Sequence, residues 1–140
     1  MSTLPEGYVF RDDADAIAAH AFLTHSYWAK DIALETVERA FAHSILVSIW
    51  HDGQQVAMAR VISDQATFAY VNDVYVLEAH RGLGLSKALM TRLCADVRLQ
   101  GLGRWALYTK DAQALYAQFG FRQYPWPERM MIIDPKVFPE

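Results

Sequence analysis

The clearest hydrophobic pattern lies in the middle of the chain. Ser44–Trp50 is apolar and β-branched, His51-Asp52-Gly53-Gln54 carries turn residues, and Gln55–Ile62 is apolar again, which predicts a β-hairpin. Thr67–Leu77 predicts a longer strand. The period then changes: Leu85, Leu89, Leu93 and Val97 recur every four residues, which predicts a helix over Leu85–Gln100 ended by Gly101 and Gly103. Upstream, Gly7–Arg11 predicts a short strand. Asp12, Asp13 and Asp15 then offer side-chain caps for a helix over Ala16–Thr24, and Leu34–Ala42 predicts a second helix with Glu35, Glu38 and Arg39 on its wet side. Downstream, Trp105–Thr109 predicts a buried strand and Ala112–Phe119 a short helix stopped at Gly120. Phe121–Tyr124 and Met130–Ile133 predict a last strand pair, separated by Pro125 and Pro127. Helices interspersed with a mixed sheet define an α/β (α+β) protein, not a sandwich and not a helical bundle.

Composition narrows this picture. A length of 140 residues predicts one domain over 1–140, and 53% apolar with 21% charged residues is the balance of a folded globular chain. The net charge of −3 carries no basic surplus, so no nucleic-acid partner is expected. A lone Cys94 excludes an internal disulfide and suits a reducing, cytoplasmic setting. The start of the chain lacks a basic stretch followed by an apolar one, so no signal peptide is expected. The longest uncharged apolar run, near Ala40–Trp50, is shorter than the roughly 20 residues a bilayer span needs, so no membrane partner is expected.

The sharpest candidate chemistry follows the long central strand. Arg81-Gly82-Leu83-Gly84-Leu85-Ser86-Lys87 runs from strand to helix through two glycines. The first amides of a helix lack partners inside it, and the helix dipole adds positive potential there, so such a turn suits an anion. Arg81 and Lys87 add charge beside it. A dinucleotide fingerprint needs a third glycine where Lys87 stands, and a P-loop needs a Gly-Lys pair that the chain lacks. Gly84-Leu85-Ser86-Lys87-Ala88 approaches a hydrolase nucleophile turn, but no His follows His80, so that order of acid and His cannot be completed. His20 and His25 do not share a helix face, and His43 and His51 have no ligand-spaced partners, so no metal is expected.

Arg81–Ser86 resembles the R/Q-x-x-G-x-G/A signature of the GNAT acyl-CoA-dependent N-acetyltransferases, with Ser86 at the final small position. Leu115-Tyr116-Ala117-Gln118-Phe119-Gly120-Phe121 resembles the L-Y-x-x-x-G-F stretch of the same family, in the right order. Ser26–Lys30 and Ala66–Tyr70 resemble a small bacterial-type branch of it. The resemblance implies a GNAT-like mixed, mostly antiparallel sheet with helices on both faces. It implies acetyl-CoA as cosubstrate and a primary amine, on a small molecule or a peptide, as acceptor. In such a fold Val74, Tyr75 and Val76 would offer backbone groups to the pantetheine arm, and Arg81, Gly82, Leu83, Gly84, Leu85, Ser86 and Lys87 would hold the pyrophosphate. Tyr116 would be the general acid that protonates the leaving thiolate. The general base falls to Asp73, beside an expected bulge, with Glu78 and His80 as alternatives. Tyr27 and Trp28 are either core or a lid over the acceptor pocket. Thr109-Lys110-Asp111 stands where family members often carry Asn. A homodimer through the last strands is a further expectation. An acyl-CoA sensor that has lost catalysis is the alternative reading, against which the presence of Tyr116 speaks.

Overall fold

The computed structural model of the chain describes residues 4–139. The central hairpin becomes the middle of a five-stranded sheet in the order β1-β2-β3-β4-β5. The strands are β1 (Tyr8–Arg11), β2 (Ile45–His51), β3 (Gln54–Ser63), β4 (Phe68–Val76) and β5 (Arg104–Leu107). The first three pairings are antiparallel, and β4 with β5 is parallel. The parallel pair needs a crossover, which α3 (Leu85–Cys94) supplies. On one face α3 packs with Val47, Ile49, Val61, Ala69 and Val71 into the larger core. On the other, α1 (Ala16–Leu23) and α2 (Leu34–Ala42) bury Ala19, Leu23, Val37 and Phe41 against Met58 and Tyr75. Helices therefore cover both faces of a mostly antiparallel sheet, as expected. Leu89, Met90 and Leu93 are almost fully buried, each contributing roughly 1.5–3 kcal/mol by its removal from water. Asp15 proves to be the cap of α1, its carboxylate accepting from the Ile17 amide.

Two sequence expectations are corrected. The helix expected over Leu85–Gln100 ends at Cys94, and Val97–Leu99 forms a separate 3₁₀ turn. The Asp96 carboxylate accepts from the Arg98 amide, and the Gln100 side-chain amide donates to the carbonyls of Cys94 and Asp96. These local side-chain bonds compete with continued α-helix. The second correction is larger. Phe121–Tyr124 and Met130–Ile133 do not form a strand pair; between them stands a 3₁₀ turn, Pro127–Arg129. Pro125 and Pro127 lie between the two segments, and among the described residues neither segment has a strand beside it to take its backbone hydrogen bonds. The segment runs past β5 through side chains instead: Tyr124 lies under Arg104, the Tyr108 hydroxyl donates to the Met130 sulfur, and the Lys136 ammonium donates to the Lys30 carbonyl.

Candidate active site

The site begins at an irregularity of β4. Arg60 pairs with Asn72 and Met58 with Tyr75, so Asp73 and Val74 together oppose Ala59 alone. That is a β-bulge, and Asp73 occupies it at φ 53°, a left-handed conformation that Asp and Asn tolerate better than most residues. The Asn72 side-chain carbonyl accepts from the Asp73 amide and supports the kink. The bulge shifts the alternation by one residue. Ala69 and Val71 face α3 before it, and Val74 and Val76 pack with the same core after it, while Tyr75 turns to α1 and α2.

Pairing between β4 and β5 runs from Phe68 with Arg104 to Val71 with Leu107 and stops there. Beyond it the two strands separate, and the β5 side of residues 72–76 has no strand beside it. The Leu77 amide donates to the Val56 carbonyl. That bond makes Val76 and Ala57 a non-hydrogen-bonded pair, so the amide and carbonyl of Val76 point away from β3 and into the gap. By alternation Val74 presents its backbone groups the same way. Tyr75 does not. Its backbone faces Met58 on β3, which corrects the expectation that all three residues offer their backbone to a ligand.

The glycine turn sits at the end of this gap. Gly84 caps α3 at φ 79° and Gly82 has φ 81°, and a methyl group added at either would meet nothing within 4 Å. The amides of residues 82–87 donate to no backbone acceptor among the described residues, whereas Ala88 begins the helical pattern by donating to Gly84. Leu83 and Lys87 are exposed, Ser86 is half-buried, and the Leu85 side chain is buried, so Leu85 offers the turn its amide alone. Arg81 is partly committed elsewhere: its Nε donates to the Val76 carbonyl and braces the strand end against the turn. An open strand edge continuous with unpartnered helix amides can take an added extended chain along the strand and an anion at the turn. Surface hollows of about 420 Å³, near Cys94 and Trp105, and about 560 Å³, near Phe10 and Arg92, touch neither.

Tyr116, on α4 (Gln113–Ala117), is buried beside Phe121, and burial pushes its phenol up to about 12, with the nearby Tyr27 phenol adding to the effect. It therefore stays protonated at neutral pH. Tyr27 and Trp28 belong to the loop between α1 and α2, and their rings lie 5.1 Å apart, edge to face. The Lys110 ammonium lies 5.5 Å from the Tyr27 ring centre. Trp28 also neighbours Phe22, which stacks on Tyr75 at 4.2 Å. These aromatics stand on the α1–α2 side of the sheet, where Trp28 reaches the bulge.

Asp73 is buried at this bulge. One carboxylate oxygen accepts from Trp28 Nε1 at 2.9 Å and the other from Arg60 Nε at 2.7 Å. A terminal nitrogen of Arg60 reaches the Ser44 hydroxyl at 3.1 Å. Sequence reasoning missed Arg60. Its signal was a lone charge inside the apolar strand Val56–Ile62, which calls for a buried partner. The two alternative bases lie apart from Asp73. Glu78 is exposed, and His80 shares a 2.7 Å hydrogen bond with Tyr8 and packs near His51, on β1 and β2. Thr109, in place of the family's Asn, caps the turn into α4 by accepting from the Ala112 amide.

A bulged strand thus parts from its parallel neighbour beside a helix that starts on a glycine turn. Residues 8–121 match the model of the acetyltransferase (GNAT) family, and the chain belongs to that family. A GNAT-family protein of Xanthomonas campestris is 44% identical, with a TM-score of 0.89 over 99% of this chain and 100% of that one. Serotonin N-acetyltransferase 2 of rice chloroplasts is 37% identical over 97 residues, 65% of this chain, and the chain spans about half (48%) of that relative. A Clostridium acetobutylicum acetyltransferase solved with acetyl-CoA is 13% identical and shares the fold, with a TM-score of 0.67 over 95% of this chain and 99% of that one. Among the described residues, no helix is long and apolar enough to cross a membrane.

Proposed function

We propose that this chain transfers the acetyl group of acetyl-CoA to a primary amine, by direct attack while both are bound. The observation that carries the reading is the continuity of three features: the open Val74–Val76 edge, the unpartnered amides of the Gly82–Lys87 turn, and the protonated phenol of Tyr116. When bound, acetyl-CoA supplies an acetyl group activated as a thioester. The Val74 backbone groups and the Val76 amide orient the pantetheine arm, the Val76 carbonyl being held by Arg81, and an amide of this edge stabilises the oxygen that gains charge as the amine attacks. Gly82, Leu83, Gly84, Leu85, Ser86 and Lys87 hold the pyrophosphate through amides and charge. As the C–N bond forms and the C–S bond breaks, Tyr116 gives its proton to the departing sulfur, and the proton shed by the attacking nitrogen restores the phenol, by way of solvent; its high pKa keeps the phenol protonated across the neutral range.

The acceptor enters on the α1–α2 side. Tyr27 and Trp28 line that side with exposed aromatic surface, backed by Phe22 stacked on the buried Tyr75, and the rice relative is named for an arylalkylamine substrate. Both favour an amine carried on an aromatic body. A homodimer through residues 121–133 belongs to the same reading. Met131 and Ile133 are 92% and 101% exposed, and exposed apolar side chains in a segment without a ladder suit burial between copies.

Two measurements test the reading. Calorimetric titration with acetyl-CoA, CoA and ATP should give binding selective for the CoA compounds. Thiol release from acetyl-CoA should then depend on an added amine, with tryptamine turned over better than spermidine or a lysine peptide. Binding without amine-dependent thiol release across that panel would refute transfer and leave a sensor.

A further inference from the structure

The buried carboxylate of Asp73 sits where a general base would be sought, yet both its oxygens are engaged. Oδ2 lies against a guanidinium and Oδ1 accepts from an indole, and the residue and its ion-pair partner are about one-tenth exposed. Each oxygen spends one of its lone pairs on Arg60 or Trp28, and the two contacts together fix the orientation of the carboxylate. The loop that carries Trp28 is itself tightly tied. Ser26 Oγ donates to the Leu23 carbonyl and accepts from the Ala29 amide, the Asp31 backbone amide donates to the Thr24 carbonyl, and His20 Nε2 reaches the Ile32 carbonyl. Trp28 is thus the point at which a stiff loop is pinned onto the bulge of the cofactor strand. The next residue along that strand, Val74, faces the gap. The residue beside Trp28, Tyr27, packs edge to face against it and carries the Lys110 ammonium over its ring.

We propose that Asp73 is a positioning residue: clamped by Arg60, it fixes the Trp28 indole, and with it Tyr27, as the wall against which the acceptor amine rests over the β4 gap. The proposal rests on the acetyl-transfer reading for its kinetic consequence, but the clamp itself is a property of the folded chain. Its chemistry explains the residue types. Trp28 needs an acceptor for its N–H once that N–H is turned inward. An ionised carboxylate at this depth needs the guanidinium. The left-handed bulge position favours Asp or Asn. Loss of the clamp should loosen the acceptor wall without removing a proton-transfer group, so the damage should fall on the KM of the amine.

The test compares Asp73→Asn, Trp28→Phe and the double variant, with tryptamine and acetyl-CoA as substrates. Each single variant should raise the tryptamine KM about tenfold, with the KM for acetyl-CoA and the pH profile of kcat kept. The double variant should be no worse than the worse single, since Asn leaves one acceptor oxygen for the two donors Trp28 and Arg60 while Phe removes the indole donor, and both changes act on the same contact. If Asp73→Asn instead lowers kcat a hundredfold or more at unchanged KM and removes the acid limb of the kcat profile, Asp73 is a base and the proposal is overturned. Additive effects in the double variant overturn it as well. A readout independent of turnover accompanies these. The indole N–H resonance of Trp28, assigned as the signal lost in Trp28→Phe, should move and broaden in Asp73→Asn, and an unmoved resonance refutes the clamp. Should wild-type protein acetylate no amine, the transfer reading fails while this resonance still decides the clamp. Should Asp73→Asn fail to fold, Trp28→Phe, which leaves the ion pair intact, carries the kinetic test: an unchanged tryptamine KM refutes the wall.

Discussion

Replacing Gly84 by Ala separates what the glycine turn does for folding from what it does for a ligand. Gly84 has φ 79°, and its added methyl would meet nothing within 4 Å. The folding cost is therefore conformational alone, about 1–2 kcal/mol for an L residue in the left-handed region. For a domain of this size that lowers Tm by roughly 4–8 °C. Gly101 provides a matched control. It has φ 72°, its methyl also meets nothing within 4 Å, and it lies beyond the far end of α3. Gly101→Ala should cost about the same in Tm. The two variants should part on acetyl-CoA binding. At Gly84 the methyl enters the space the pyrophosphate would fill, and losing one charge-assisted hydrogen bond costs about 1.5–3 kcal/mol, or roughly a 10- to 100-fold weaker Kd. At Gly101 the Kd should not move. Thermal melts and calorimetric titration of both variants measure the two effects. Equal acetyl-CoA affinity in Gly84→Ala, Gly101→Ala and the wild type would refute the assignment of the turn to the pyrophosphate.

Three further outcomes are expected. Tyr116→Phe should lower kcat by about 10²–10⁴-fold, the range for loss of a general acid, with acetyl-CoA affinity nearly unchanged, as rapid-quench kinetics and calorimetry would show. Burial raises the phenols of Tyr75 and Tyr116 to about 12. Folded pKa values above the unfolded value of about 10 give stability that is complete below pH 10 and is lost as pH rises through 12. Denaturant midpoints should therefore fall across that window, and the phenolate absorbance of Tyr75 and Tyr116, with that of Tyr70, which burial also raises, should appear late. Asp73→Ala breaks the buried pair with Arg60 and leaves the guanidinium uncompensated; such losses cost about 3–5 kcal/mol, so urea unfolding should show a larger drop than for Asp12→Ala, whose pair with Arg92 is exposed.

Much of this site was legible before folding. The two glycines and the four-residue apolar period that follows them are local signals, and local backbone preference places an anion-ready helix start wherever they occur. Tyr116 was legible through its stretch ending in Gly120 and Phe121. The bulge was expected near Asp73, but its consequences were not, because they depend on which residues of β3 lie opposite. Register decides that Tyr75 turns its backbone to Met58 while Val74 and Val76 face the gap. It also brings Arg60 beneath Asp73. The Trp28 contact spans 45 residues of sequence, and no local pattern announces it.

The failures follow the same division. Phe121–Tyr124 and Met130–Ile133 carry strand-like residues, but a strand exists only when a neighbour takes its backbone hydrogen bonds. Here Pro125 and Pro127 interrupt the segment, and it passes β5 through side-chain contacts. The end of α3 was misplaced because side chains of Asp96 and Gln100 take backbone groups that the apolar period assigned to the helix. The sequence by itself determined the elements whose cause is local: the hairpin turn, the helix periods and the glycine start of α3. Tertiary structure alone decided which backbone edge stays open, which carboxylate is clamped and which aromatic rings meet, because each requires residues far apart in the chain to share one buried volume.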